Sequence, residues 1–351
     1  MYINTFENQM KKVTMQDIAD KLNISKSLVS LALNNKYGVS NETRYEILRT
    51  AVEMGFNFSY KYKGNNKNFK RRIPVYINRE ELTHNTYWSG IFKSCERILS
   101  EQNYKLIIEV WDEEELSLDA MKRLINANNE GILVINEIPD SMYKVLSKIN
   151  IPVVFVDGKK YNDKDFDNVR TNSYLGGFLV AEYLTQMGHK KIAFVGDKNY
   201  SISFRERYFG FKNYLDERGD IKFYGSCRQS TYDLSSNYEG ESEIVKMFKK
   251  EDRPTAIFCA NDRLALFAYG ELKKIGLKPF DDVSIVGFDD SKESFMVSPK
   301  LTSVKIPVEE LGRIAVRLLL YRINHMDTPK QVRFTNVSLD IKESVRRIED
   351  V

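Results

Sequence analysis

From Ile73 onward the sequence alternates short apolar runs with stretches of helical spacing, and that alternation restricts the fold more than any other feature. Runs at 73–77, 105–110, 131–135, 153–156, 191–195, 256–259 and 283–287 read as buried strands. Between them, 89–100, 118–127, 175–187, 205–218, 241–250 and 262–275 read as helices. Strand–helix alternation at this spacing builds parallel sheets covered by helices, and the number of strands fits two sheets better than one. Such sheets bind ligands beyond the carboxyl ends of their strands. With two lobes facing each other, that place is the cleft between them.

Polar residues at those strand ends are the candidate ligand groups: Asp157, Asp197, Asn261, Asp262, Asp289 and Asp290. Arg207 opens a helix entered from the Asp197 loop, and Tyr87 and Trp88 precede the first helix of this region. Carboxylates and an amide can fork hydroxyls while rings cover apolar faces, which suits a polyhydroxylated or heterocyclic ligand. Each residue also has a plainer role open to it. Asp and Asn at strand ends form turns and cap helices, with Asp262 the best placed to cap, and aromatic pairs commonly belong to a core.

The first 58 residues follow a different pattern. Thr14 can cap a helix, with Asp17 three residues on and Ile18, Ala19 and Leu22 on one apolar face. Asn23 suits a left-handed turn, and Ser25 caps a second helix carrying Leu28, Val29, Ala32 and Leu33. Ser40 or Asn41 caps a third, with Ile47, Leu48, Ala51 and Val52 turned inward. This reads as a helix-turn-helix headpiece. Lys26 and Ser27, at the start of the second helix, and Leu31, one turn on, fall where such motifs face bases. Thr14, Ser25, Asn34, Ser40 and Thr43 are placed to bond phosphates.

An ordinary helical hairpin would show the same spacing, so charge decides between the two. Residues 1–72 carry thirteen Lys and Arg against six Asp and Glu, an excess of +7 in a chain of net charge +4. The remainder is therefore −3. The cationic excess sits on the end that would meet DNA, as phosphate neutralisation requires.

Residues 59–72 are polar, basic and poor in aliphatic side chains, which marks a linker. Lys67, Arg71 and Arg72 are its candidate phosphate contacts. Other classes are disfavoured. No apolar run of membrane-spanning length exists, and residues 1–12 are polar and basic without an apolar signal core, so a cytoplasmic location and no membrane partner are expected. Cys95, Cys227 and Cys259 lack metal spacing, their odd number argues against a disulfide framework, and His84, His189 and His325 lie far apart. No phosphate loop, nucleophile elbow or metal cluster is present, so neither a catalytic residue nor a cofactor is expected. The rivals are a stand-alone carbohydrate-binding receptor, which would need a leader and no headpiece, and an enzyme on a doubly wound fold.

The segment 13–56 resembles the headpiece of the lactose/galactose repressor family. The resemblance rests on Thr14, Asp17-Ile18-Ala19, Ile24-Ser25, Leu28-Val29-Ser30, Leu33-Asn34, Val39-Ser40, Thr43-Arg44, Ile47, Ala51 and Gly55-Phe56. It continues in Phe155-Val156-Asp157, Gly188-His189-Lys190-Lys191-Ile192-Ala193, Arg207-Tyr208-Phe209-Gly210-Phe211, Ala260-Asn261-Asp262, 282–290 and 299–304, and covers essentially the whole chain. It implies a small all-α headpiece (1–58), a linker (59–72) and a two-lobed periplasmic-binding-protein-like α/β sensor with parallel sheets (73–351). The first lobe is expected over about 73–169 plus 307–334, and the second over about 170–306 plus 335–346.

The resemblance also implies effector contacts at Asp157, Arg207, Asn261 and Asp289, with cleft aromatics Tyr87, Trp88 and Tyr232. Its further implications are a double-stranded operator, a sugar-like effector, and a homodimer or a higher oligomer. The linker departs from the family. Asn65 beside Gly64 stands where a leucine wedges into the minor groove, and Phe58-Ser59 where a Pro-Asn pair is usual. Thr171-Asn172 replaces a common Asp-Asn pair, and Ile306 a glutamine of some members. The expected protein is a sequence-specific transcriptional regulator, a repressor, answering to a small ligand.

Overall fold

The computed structural model describes residues 13–34, 36–56, 71–79, 86–111, 118–125, 129–158, 163–228 and 241–349. Helix α1 (Met15–Leu22) begins in a reciprocal cap: Thr14 Oγ1 accepts from Asp17 N at 3.3 Å, and the Asp17 carboxylate accepts from Thr14 N at 2.7 Å. Asn23, at φ 54°, ends it in the left-handed conformation. Ser25 caps α2 (Lys26–Leu33), and Ser40 caps α3 (Asn41–Glu53). Ile18, Ala19, Val29, Ala32, Ile47 and Ala51 close the small core. The buried Arg44 guanidinium locks α3 to the end of α2, donating to the carbonyls of Leu31, Ala32 and Lys36. Leu48 and Val52, expected in that core, join a different one described below.

The remainder forms two six-stranded sheets. The first contains β1 (Arg71–Asn78), β2 (Tyr104–Trp111), β3 (Ile132–Ile135), β4 (Val153–Val156), β5 (Asp167–Thr171) and a late strand, β11 (Val332–Thr335). Their order is β11-β5-β4-β3-β1-β2, and all pairs are parallel. The second contains β6 (Lys191–Val195), β7 (Lys222–Cys227), β8 (Ala256–Cys259), β9 (Ser284–Asp289), β10 (Thr302–Lys305) and β12 (Ser338–Asp340). Its order is β12-β10-β9-β8-β6-β7, and only the short β12 runs antiparallel.

Helices connect the strands as parallel topology requires. In the first lobe they are α4 (Thr86–Glu101), α5 (Leu118–Leu124) and α6 (Asp140–Leu146). The second lobe has α7 (Ser173–Gln186), α8 (Ile202–Arg218), α9 (Glu243–Phe248) and α10 (Asp262–Lys274). Helix α11 (Val308–Asn324) returns to the first lobe and packs on α4 over Ile73, Val75, Ile77 and Leu133. The chain thus crosses between lobes three times: after β5, after β10 and after β11.

Two boundaries differ from expectation. Strand β1 opens at Arg71, because the ladder with β2 already pairs Arg71 with Tyr104. Arg71 and Arg72, expected in the linker, are therefore strand residues, and Arg71 is held by Glu130 at 3.0 Å and by the Tyr104 hydroxyl at 3.2 Å. The first crossing follows Thr171, not residue 169, since β5 continues to pair with β11 through Thr171. Lys67, Gly64, Asn65, Phe58 and Ser59 lie outside the described residues, as does Tyr232. The three cysteines are free and buried, and burial pushes the thiols of Cys95 and Cys227 up to about 12. No helix among the described residues is long and apolar enough to cross a membrane.

Candidate DNA-reading face and interlobe site

Among the described residues, nothing covers the start of α2. Lys26 and Ser27 are exposed, and Lys26 makes no ion pair among the described residues. Leu31, a turn later, is half-buried. Thr14, Ser25 and Ser40 are exposed and already accept from the backbone as caps. At Ser25 this leaves the hydroxyl proton for a phosphate. The Thr14 hydroxyl instead donates to Asp17 at 2.7 Å. The Thr43 hydroxyl lies 3.0 Å from that of Ser40. Asn34 turns its amide inward, donating to the Ser30 carbonyl at 2.6 Å.

The second site lies where the carboxyl ends of both sheets converge. Backbone conformation already sets these ends apart. Asn136 follows β3 at φ 63°, Asp157 follows β4 at 47°, Asp289 ends β9 at 109° and Asp290 follows at 52°. Non-glycine residues seldom adopt such angles, and their concentration at strand ends is characteristic of functional sites.

On the first lobe Tyr87 donates to the Asp157 carboxylate, which also accepts from Thr171 N at 2.6 Å and from Thr171 Oγ1 at 2.7 Å. Burial holds the Tyr87 hydroxyl well above its ordinary range, and the adjacent Asp157 charge adds to the effect. The phenol therefore stays protonated and keeps donating. Trp88 meets Tyr87 edge to face at 4.6 Å and is buried in the first-lobe core. Tyr87, unlike Trp88, also packs against the core of the second lobe.

On the second lobe Arg207 is only 5% exposed. Its guanidinium stacks 3.6 Å from the centre of the Phe288 ring and donates to the Ala260 carbonyl at 2.6 Å. It faces Asp289 Oδ1 at 3.4 Å, while its Nε has no hydrogen-bond partner among the described residues. A buried donor without a partner is costly, so an incoming acceptor has a ready place here.

Glycines put Arg207 where it is. A Cβ on Gly177 of α7 would lie 2.0 Å from the Arg207 carbonyl oxygen, and one on Gly210 of α8 would lie 1.9 Å from that of Tyr174. The two helices touch backbone to backbone. Gly176 makes room in the same way for the Phe288 ring.

The remaining candidates separate. Asn261 caps α10 with its Oδ1, accepting from Leu264 N at 3.0 Å. Asp262 is buried beneath the site, accepting from Ser303 Oγ at 2.5 Å and from Ser291 N at 2.7 Å. Burial raises its carboxyl to about 6 against the pull of those donors. Asp290 pairs with Lys342 at 2.6 Å, and Asp197 folds back on its own loop through Asn199 N.

Sequence reasoning passed over Glu206. Burial raises its carboxyl, and the charges felt there come from Arg170, Asp157 and Asp163 of the first lobe as well as from Arg207. A charged residue beside Arg207 in the first turns of a helix leaving a strand end was the available signal.

Two family models match the chain: "Bacterial regulatory proteins, lacI family" over residues 14–58 and "Periplasmic binding protein-like domain" over 181–345. The chain is 27% identical to the HTH-type transcriptional repressor PurR of Mannheimia succiniciproducens, covering 95% of this chain and 99% of that protein. It is likewise 27% identical to the ribose operon repressor of Haemophilus influenzae, over 95% and 98%. Among solved structures, a LacI family transcriptional regulator from Enterococcus faecium with bound ribose matches at TM-score 0.64 and 25% identity, over 79% of this chain and all of that one. The Lac repressor dimer bound to operator and the anti-inducer ONPF shares the fold at TM-score 0.65 and 23% identity, over 96% of this chain and all of that one. The chain thus carries a lacI-family helix-turn-helix domain followed by a two-lobed periplasmic-binding-like domain, and its full-length relatives are transcriptional repressors of the same arrangement.

Proposed function

We propose that the chain is a cytoplasmic transcriptional repressor that binds double-stranded operator DNA as a homodimer, and that a small sugar-like effector between its lobes sets its affinity for that DNA. The observation that carries this reading is the convergence of Tyr87–Asp157 from one lobe with Arg207–Asp289 from the other. Tyr87 packs against both cores and senses the Asp289 charge. A ligand seated there touches both lobes and favours whichever lobe arrangement contacts it best; only that difference in affinity can shift DNA binding.

Lys26, Ser27 and Leu31 are assigned to bases. Thr14, Ser25, Asn34, Ser40, Thr43 and Lys67 are assigned to phosphates, with Arg71 and Arg72 at the start of β1. Tyr87, Asp157, Arg207 and Asp289 are assigned to the effector. Asn261 is assigned through its amide end and Tyr232 as a further aromatic contact, while Trp88 supports Tyr87 edge to face from the first-lobe core. The site binds and does not turn over its ligand.

The test is a thermal-shift screen of the full chain with ribose, cellobiose and further sugars, alongside nucleobases and amino acids. A cognate ligand at a hundred times its Kd adds about 2.7 kcal/mol of stability. A sugar hit that vanishes in Arg207→Ala is the expected result. A hit that persists unchanged in that variant would place the ligand elsewhere.

A further inference from the structure

Helix α3 is apolar on two faces. Ile47 and Ala51 point into the headpiece core, whereas Leu48 and Val52, one turn apart on a neighbouring face, are only 4% and 3% exposed without belonging to that core. They are buried against Met121 and Leu124 of α5 and against Ile125 just beyond it. Tyr45 of α3 and Leu33, at the end of α2, pack on the same cluster.

The first lobe has a reason to accept them. One face of its sheet is covered by α4 and α11, of 16 and 17 residues. The opposite face, carrying Tyr76, Ile132, Val134, Val153 and Phe155, is covered by α5 and α6, of 7 residues each. A parallel sheet needs both faces covered, and two short helices leave an apolar edge.

We propose that this edge of the first lobe is a docking surface for the headpiece of the same chain, and that the docked headpiece is the DNA-reading form. The reading end of α2 supports the second part: Lys26 and Ser27 remain exposed, and it is the far end of that helix, at Leu33, that meets the lobe. A headpiece held in this way meets DNA already oriented, so less freedom is lost on binding. The orienting role rests on the DNA-binding reading above; the docking itself does not.

The test compares full-length wild type with Leu48→Glu/Val52→Glu. An operator is first selected from a random duplex library with the wild-type chain. In the variant, amides of 118–125 should exchange hydrogen faster while those of β3 and β4 keep their protection. Operator affinity should fall about tenfold with base preference unchanged. Circular dichroism establishes that the variant headpiece keeps its helices, since neither residue belongs to its core. A charge pair, Leu48→Glu with Met121→Lys, should regain affinity relative to Leu48→Glu alone, which a folding defect would not do.

Unchanged exchange at 118–125 overturns the docking. Faster exchange with equal or tighter operator binding overturns the reading-form assignment, because the lobe would then store the headpiece away from DNA. Failure of the charge pair to regain affinity overturns the proposed contact. A wild-type chain that selects no duplex refutes the DNA-binding reading and the reading-form assignment with it, while the exchange comparison still decides the docking.

Discussion

Arg207 answers to three neighbours at once: the Phe288 ring, the Ala260 carbonyl and the Asp289 carboxylate. A lysine cannot reproduce that geometry, since a point charge neither stacks flat on a ring nor forks. Arg207→Lys should therefore lose ligand-dependent stabilisation as Arg207→Ala does, and Arg207→Ala should also lower stability by about 2 kcal/mol through the partners left behind, measurable by urea denaturation. At the other site, Lys26→Ala should cost about 1–3 kcal/mol at particular base pairs and leave others untouched, as selection on randomised operators would report. Loss spread evenly over all sequences would make Lys26 a phosphate contact. These side chains were legible in the sequence because strand-end and helix-start positions are fixed by pattern. What they bond to was not. That Thr171 holds Asp157 with both its N–H and its hydroxyl depends on two strands separated by a loop.

At the scale of elements, apolar runs revealed seven of the strands but not β5. Its sequence, Asp-Asn-Val-Arg-Thr, is almost wholly polar, yet all five residues are buried. Its buried Asp167 is satisfied from afar: Arg322 of α11 grips the carboxylate at 2.7 and 2.8 Å, and Gln331 N donates to it at 2.8 Å. No window of neighbouring residues contains that information. Edge strands β7 and β11 were missed for the opposite reason, since half-exposed edges lack a continuous apolar run. The α7–α8 crossing carries the sharpest prediction at this scale. Gly177→Ala would drive a methyl into the Arg207 carbonyl, forcing the helices apart at a cost of about 1–3 kcal/mol. Thermal melts should register that loss, and calorimetry should find ligand affinity reduced with it, because α8 carries Arg207. A stable variant with intact affinity would show that the crossing has slack.

For the molecule as a whole, the final residues fasten the second lobe. Buried His189 bonds Thr255 Oγ1 at 2.9 Å and the Arg346 carbonyl at 3.2 Å, and Ile348 N donates to Met187 O at 2.8 Å. Burial holds the imidazole down at about 4, below its ordinary 6.5. As pH falls the unfolded chain takes the proton first, so the stability due to neutral His189 is complete above about 6.5 and is lost on the way down to about 4. The stability gap between wild type and His189→Gln should narrow by about 3 kcal/mol across that window, followed by urea denaturation at several pH values. Asp262 works in the other direction: its carboxyl, raised to about 6, adds stability at low pH that is lost as pH rises through that value. Being common to both proteins, it cancels from the comparison. A constant gap would mean that His189 takes its proton at the same pH in the fold as in the unfolded chain.

The three strands of backbone that join the lobes have a mechanical meaning. Three tethers side by side resist sliding and twisting and leave rotation about one axis as the soft coordinate, as in a door on a row of hinges. An occupant of the cleft then sets a single variable, the angle of the door. Ligands of different girth should stop it at different angles, giving the protein a graded scale of outputs in place of two fixed settings.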